Sequence, residues 1–365
     1  MRKKHRVALL GAAALLAAMT GGCAQMGYYL QAAQGQYELL AQARPIDDWL
    51  ADPATGDKLK IKLAQVRKIR RFAAEELGLP DNGSYKNYAE LKRAYVVWNV
   101  VAAPKLSLEP TQWCFPVAGC VNYRGYYRKE DAQAFAAELR GEGLDVQVAG
   151  VPAYSTLGWF DDPVLSTFIK YPEGELARLV FHELAHQVAY AKGDSQFNES
   201  FAVAVEEYGV ERWMARFGDE KMRQAYAEYE GRKQDFLKLL LKHREELQAN
   251  YDSDAIDAEK LRRKAAIFQA LQDDYQQLKQ KWGGYAGYDR WFAEPLSNAH
   301  LAAVATYHDF VPGFRALLQQ QGSMPAFYAT VKRMAAESKE ERHQQLAALG
   351  EPARLAQDQT TRRNP

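Results

Sequence analysis

Five consecutive residues, His182-Glu183-Leu184-Ala185-His186, set two imidazoles on either side of a carboxylate. On a helix, positions i and i+4 share a face, so both rings reach a single metal ion. Glu183 is then placed to hold a metal-bound water, which makes the set a binding site and a means of hydrolysis together. The chain has only seven His, so the pairing is not the by-product of a His-rich tract. Such a site needs a third protein ligand that leaves the fourth position to water. The following segment, Asn198 to Glu206, offers Glu199 and Glu206. The motif helix is expected over Glu175 to Ala191, with a turn at Lys192-Gly193-Asp194-Ser195 and Asp194 or Ser195 as the next N-cap. The outbound leg past His186 is then roughly 7.5 Å and the return to Glu199 roughly 6 Å, which brings Glu199 level with His186. Glu206 overshoots by about 10 Å. Glu199 is therefore expected as the third ligand, and Glu206 as a residue that orients a histidine or anchors the helix pair. Asn198 is expected to bond near the turn or to touch substrate.

The elements that must position these residues follow from periodicity and punctuation. Helices are expected over 28–43 and 59–77, the second with a solvated Lys/Arg face. Tyr95 to Ala102 reads as a strand from its β-branched and aromatic content. Shorter strands over Trp113 to Val121 and Leu144 to Ala149 flank a helix over Lys129 to Leu139. Ala153 to Pro163 is an irregular loop or hairpin, in which Trp159 and Phe160 either line a substrate groove or plug the space between lobes. Beyond residue 198 the chain reads as helical over 198–216, 219–248, 254–280, 288–291, 297–320 and 323–348. The expected fold class is α+β and mostly helical. Its parts are a signal peptide at 1–22, an N-terminal helical region at 23–92, a strand-rich lobe at 93–174, the metal-site helix pair with the C-terminal helices at 175–348, and a disordered tail at 349–365.

The start of the chain reads as an export signal: Arg2, Lys3, Lys4 and Arg6 precede an apolar run of thirteen, Val7 to Met19. Thr20-Gly21-Gly22-Cys23 resembles the lipobox of bacterial lipoproteins, which makes Cys23 the expected lipidation site. Ala24 after it resembles the pattern of outer-membrane sorting, so the expected location is the bacterial cell envelope, lipid-anchored and facing the periplasm. Cys114 and Cys120, the only other cysteines, close a short loop as a disulfide in such a compartment; a pair of metal thiolates is the alternative. Loss of the signal removes four basic residues and takes the formal charge from +1 to −3. No basic field remains to hold a nucleic acid.

His-Glu-Leu-Ala-His-Gln at 182–187 followed by Asn-Glu-Ser-Phe-Ala at 198–202 resembles the gluzincin metallopeptidases. The whole chain, with Ala-Tyr-Ser-Thr-Leu-Gly-Trp-Phe-Asp-Asp-Pro at 153–163, resembles the bacterial family of putative aminopeptidases. The resemblance implies one zinc ion on His182, His186 and Glu199, with Glu183 as the catalytic base, Glu206 as a recurrent acid and a peptide as substrate. It also implies a Tyr or His that steadies the tetrahedral oxyanion, for which Tyr154, Tyr307 and His308 are the candidates. Twelve residues separate His186 from Glu199, fewer than in the gluzincins, and no Gly-x-Met-x-Asn stretch is present. Hydrolytic chemistry therefore transfers more firmly than action at a free amine. The competing expectations are hydrolysis of a cell-wall amide, and a non-enzymatic envelope protein whose zinc is closed by a distant fourth ligand such as His300 or His308.

Overall fold

The computed structural model describes residues 26–115 and 119–363, without the side chains of 303, 305–308 and 352–363. The expected signal and Cys23 lie outside the described residues. Helix α1 (26–41) leads through β1 (Arg44–Pro45) and α2 (Ile46–Ala51) into α3 (Asp57–Glu75). Helix α3 buries Leu63, Val66, Ile69, Phe72 and Ala73, spaced by three and four as one face of a helix requires.

Two small sheets and a hairpin follow. In the first, β2 (Asn87–Ala89) lies between β1, which is antiparallel to it, and β8 (Val164–Leu165), which is parallel. In the second, β3 (Val97–Ala103) is central, with β6 (Arg124–Tyr126) and β7 (Asp145–Val151) antiparallel on either side. Helix α4 (Lys129–Gly141) covers this sheet, burying Ala132, Ala136 and Leu139 against Val100, Ala102 and Val146. The hairpin of β4 (Trp113–Phe115) and β5 (Gly119–Val121) sets Cys114 directly opposite Cys120, and the two form the expected disulfide.

The helical remainder comprises α5 (Glu173–Ala185), α6 (Ser195–Phe217), α7 (Glu220–Asp252), α8 (Asp257–Lys281), a short 3-10 turn at Asp289–Phe292, α9 (Asn298–His308), α10 (Val311–Gln321), α11 (Met324–Ala336) and α12 (Lys339–Arg363). The architecture is α+β and mostly helical. The single helix expected over 297–320 is broken in two, because Pro312 sits in the first turn of α10, where its missing N–H costs nothing. Helix α12 continues across 349–363, where composition alone points to a tail.

Helix α5 is buried on nearly every side, from Gly174 to Ala185, as an apolar helix at the centre of a core must be. Around it, Phe181, Phe201, Trp213 and Phe327 are fully buried in the main core, which draws on α3, α5, α6, α10 and α11. Helices α5 and α6 run antiparallel: α6 bonds Ala191 through Asn198, His182 through Glu206 and Glu173 through Trp213. They touch at Gly209, where a Cβ would lie 2.7 Å from the Phe181 ring and from Leu77.

Candidate metal centre

Helix α5 begins after Pro172 with Glu173 and Glu175 in its first turn, where acids complement the helix dipole. It ends at Ala185, six residues short of the expected Ala191. Gln187 N donates to Leu184 O at 3.1 Å and Val188 N to Ala185 O at 2.9 Å, a tightening into 3-10 geometry that closes the helix. The reason lies downstream. Ala191 N donates to Asn198 Oδ1 at 2.7 Å and Asn198 Nδ2 donates to Ala191 O at 2.9 Å, so a side chain holds the backbone that a longer helix would have used. Gly193, at φ +79°, then reverses the chain. Asp194 caps α6 by accepting from Phe197 N, and also binds Arg342 Nε and His343 Nε2, each at 2.8 Å. Asn198 clasps the turn, the first of its expected roles, and it also lines the cleft that contains this centre.

This turn carries Glu199 back to the histidines. His182 Nε2 and His186 Nε2 are 3.2 Å apart, and Glu199 Oε2 lies 3.2 Å from the first and 3.7 Å from the second. Ligand atoms at 2.0–2.1 Å from one tetrahedral ion are about 3.3 Å apart, so the three atoms have the spacing of ligands to a common ion. Two ring nitrogens and a carboxylate oxygen, all able to present lone pairs, converge on one point. They form a group that could hold a metal ion.

Glu206 lies beneath His182. Its Oε2 is 2.8 Å from His182 Nδ1, so the ring turns Nε2 toward Glu199. Arg178 Nη1 donates to Glu206 Oε1 at 2.9 Å, Lys233 Nζ of α7 stands 3.7 Å from the same oxygen, and Arg178 Nε donates to Glu175 at 3.0 Å. Burial would raise the Glu206 carboxyl, but Arg178 and His182 hold it well below the usual carboxylate range. Burial likewise opposes ionisation of Glu199, yet His186 and His182 hold it down at about 2. Burial disfavours a charged His182, while Glu199 and Glu206 hold it up at about 10. The Glu199 and His182 shifts express their mutual pairing, and the Glu206 shift its contact with Arg178 and His182. Glu183 differs: burial raises its carboxyl, and the two histidines only oppose the rise, so it is the acid of the group most ready to take up a proton.

The group forms part of a cleft of about 590 Å³ lined by His182, Glu183, His186 and Glu199 from the helix pair and by Tyr28, Tyr123, Tyr154 and Leu157 from other elements. Among the described residues lining it, the carboxylates are Glu183 and Glu199. Tyr154 reaches the cleft as expected, but its hydroxyl is 2.5 Å from that of Tyr127 and also bonds Gln36 of α1. Trp159 and Phe160 neither line the cleft nor plug the lobes: both are exposed, and Tyr154, Ser155 and Leu157 of the same loop face the cleft instead. Their outward position follows from consecutive left-handed residues, Leu157 at φ +57° and Gly158 at φ +80°. His300 stands apart from the group, its Nδ1 engaged by Ser297 at the start of α9. The side chains of Tyr307 and His308 lie outside the described residues.

Sequence reasoning missed Arg178 and Tyr123. Arg178 had a signal, since it stands four residues before His182 on the same helix face and lines the same cleft. Tyr123 had none, because only the tertiary fold brings the end of the disulfide hairpin to Glu199. There burial, with Glu199 as the nearest acid influence, pushes its hydroxyl pKa far up and keeps it a neutral donor.

Residues 27–346, which include every residue of this centre, match the family model described as "Putative aminopeptidase". The chain belongs to that family. No curated protein and no solved structure matches it. Membership points to peptide hydrolysis, and the family's span takes in α1, the sheets and the helix pair alike.

Proposed function

We propose that this chain is a zinc-dependent peptide hydrolase of the bacterial cell envelope. The observation that carries the reading is the convergence of His182 Nε2, His186 Nε2 and Glu199 Oε2 within 4.8 Å of one another in a cleft that Glu183 also lines. Zinc suits two imidazoles and a carboxylate, and when bound it would acidify a water and polarise a scissile carbonyl. Glu206 takes the Nδ1–H of His182 and orients the ring, so that Nε2 is the nitrogen that would give up its proton to bind a metal ion. Glu183, whose burial favours the protonated form, accepts a proton at its carboxylate from the attacking water and passes it to the departing amine. Tyr123, a neutral hydroxyl in the cleft beside Glu199, is placed to donate to the developing oxyanion in preference to Tyr154, whose hydroxyl is already engaged. Support for the envelope comes from the leader pattern, from Cys23 and from the disulfide.

The test uses purified chain, metal analysis and free-amine and N-blocked peptides. Wild type should bind about one zinc per chain and hydrolyse at least one peptide class, with chelator abolishing turnover. Glu183→Gln should keep its zinc and lose about 10²–10⁴-fold in kcat. Turnover retained in that variant, or wild-type chain that binds no zinc, would refute the reading.

A further inference from the structure

Helix α1 is apolar on two opposite faces. Its inner face is docked: Tyr28 stacks on Phe115 at 5.5 Å and lines the cleft with Ala32, Gly35 lies against Tyr127, and Gln31 bonds Gly125 and Tyr127. Its outer face carries Met26, Leu30, Ala33 and Tyr37, a spacing of four, three and four that makes one line along the helix. Met26 and Leu30 are each 64% exposed, Tyr37 is 73% exposed, and Tyr29 beside them 39%. No charged residue occurs from Val7 to Tyr37. A helix that is apolar on both sides belongs in apolar surroundings on both, and α1 has protein on one. The chain reaches α1 directly from the apolar run Val7–Met19 and from Cys23, three residues before Met26. Among the described residues, Ile61 and Ile256 are also strongly exposed but lie among charged neighbours and make no line, and Trp159 and Phe160 form a separate pair on the loop after Ala153.

We propose that the outer face of α1 lies on a lipid bilayer, with Met26, Leu30 and Tyr37 in the boundary between headgroups and acyl chains. Aromatic and aliphatic side chains without charge suit that depth, and Tyr29 and Tyr37 supply the amphipathic rings found at such interfaces. Helix α1 is then a slab one helix thick, about 10 Å, between the lipid and the cleft that Tyr28 and Ala32 line on its other side.

The experiment uses the full chain reconstituted in vesicles of phosphatidylethanolamine and phosphatidylglycerol. A photoreactive benzoylphenylalanine replaces Leu30 or Tyr37 in turn, with Ile61 and Ile256 as equally exposed controls. All four side chains point outward, so the probe does not disturb packing. Lipid adducts at positions 30 and 37 should exceed those at 61 and 256 at least tenfold, and the double substitution Met26→Gln with Leu30→Gln should cut the adduct at 37 several-fold. Background adducts at all four positions would show a tether without a docked face and overturn the proposal. So would adducts at 30 and 37 to a second copy of the chain. No readout depends on turnover, so this result is separable from the fate of the hydrolase reading.

Discussion

At the scale of single residues, one buried carboxylate governs how a ligand is presented. Glu206 takes the Nδ1 side of His182 and is itself held by Arg178 and Lys233. Glu206→Gln should weaken metal binding about 10–100-fold, as loss of such partners does elsewhere, while Glu199→Ala should lose far more. Competition with a zinc-binding dye would measure both; equal affinity in the two variants would assign Glu206 a ligand's role instead. A second buried acid, Asp162, is pushed up to about 6, chiefly by burial. Unfolded, it titrates near 3.9, so the folded chain binds this proton more tightly. Its contribution to stability is complete below about pH 4 and lost as pH rises toward about 6, a change of roughly 3 kcal/mol. Asp162→Asn keeps an acceptor for Thr156 N and removes the slope. Urea unfolding of chelated protein should show the variant gaining on wild type between pH 4 and pH 7, and a constant difference would discount this account. The pentapeptide 182–186 was legible because its spacing is helical, whereas Glu199 was reached through a helix assumed to run to Ala191, and its return depends on the turn that Asn198 holds. Tyr123 was not legible, since nothing local ties it to residues about sixty positions away.

At the scale of elements, the connection between α5 and α6 is shorter in helix and richer in side-chain bonds than periodicity suggests. The helix expected to run on to Ala191 stops at Ala185 for one physical reason: Asn198 supplies both bonds to Ala191 from outside the helix. Asn198→Ala leaves the buried Ala191 N–H without a partner, while Ala191 O keeps its bond from Asp194 N, and should cost about 1–3 kcal/mol. It should also lower metal affinity, because Glu199 is the next residue. Urea unfolding and zinc titration test the two effects, and an unchanged midpoint would remove Asn198 from the clasp. Pro312 is the counterpart in the C-terminal region. Its position was plain in the sequence, yet the apolar run on either side masked the break between α9 and α10.

At the scale of the whole molecule, the centre joins parts that lie far apart in the chain. Lys233 of α7 reaches Glu206, and Arg342 and His343 of α12 reach Asp194 at the base of the turn. An ion bound only by the folded chain stabilises all of it, by about 4 kcal/mol at a thousandfold excess over Kd. Chelation should therefore lower Tm by several degrees; identical melting with and without zinc would contradict a site of this kind. The α+β, mostly helical class was readable from punctuation and composition. The place of α1 as a wall of the cleft was not, because a helix apolar on two faces does not say which of them the protein covers. The crossing at Gly209 carries one last consequence. With Phe181 and Leu77 each 2.7 Å from where a methyl would go, even alanine would act as a wedge beside His182. Surface loops can vary in length and charge, but the gap between these two helices is set by hydrogen alone.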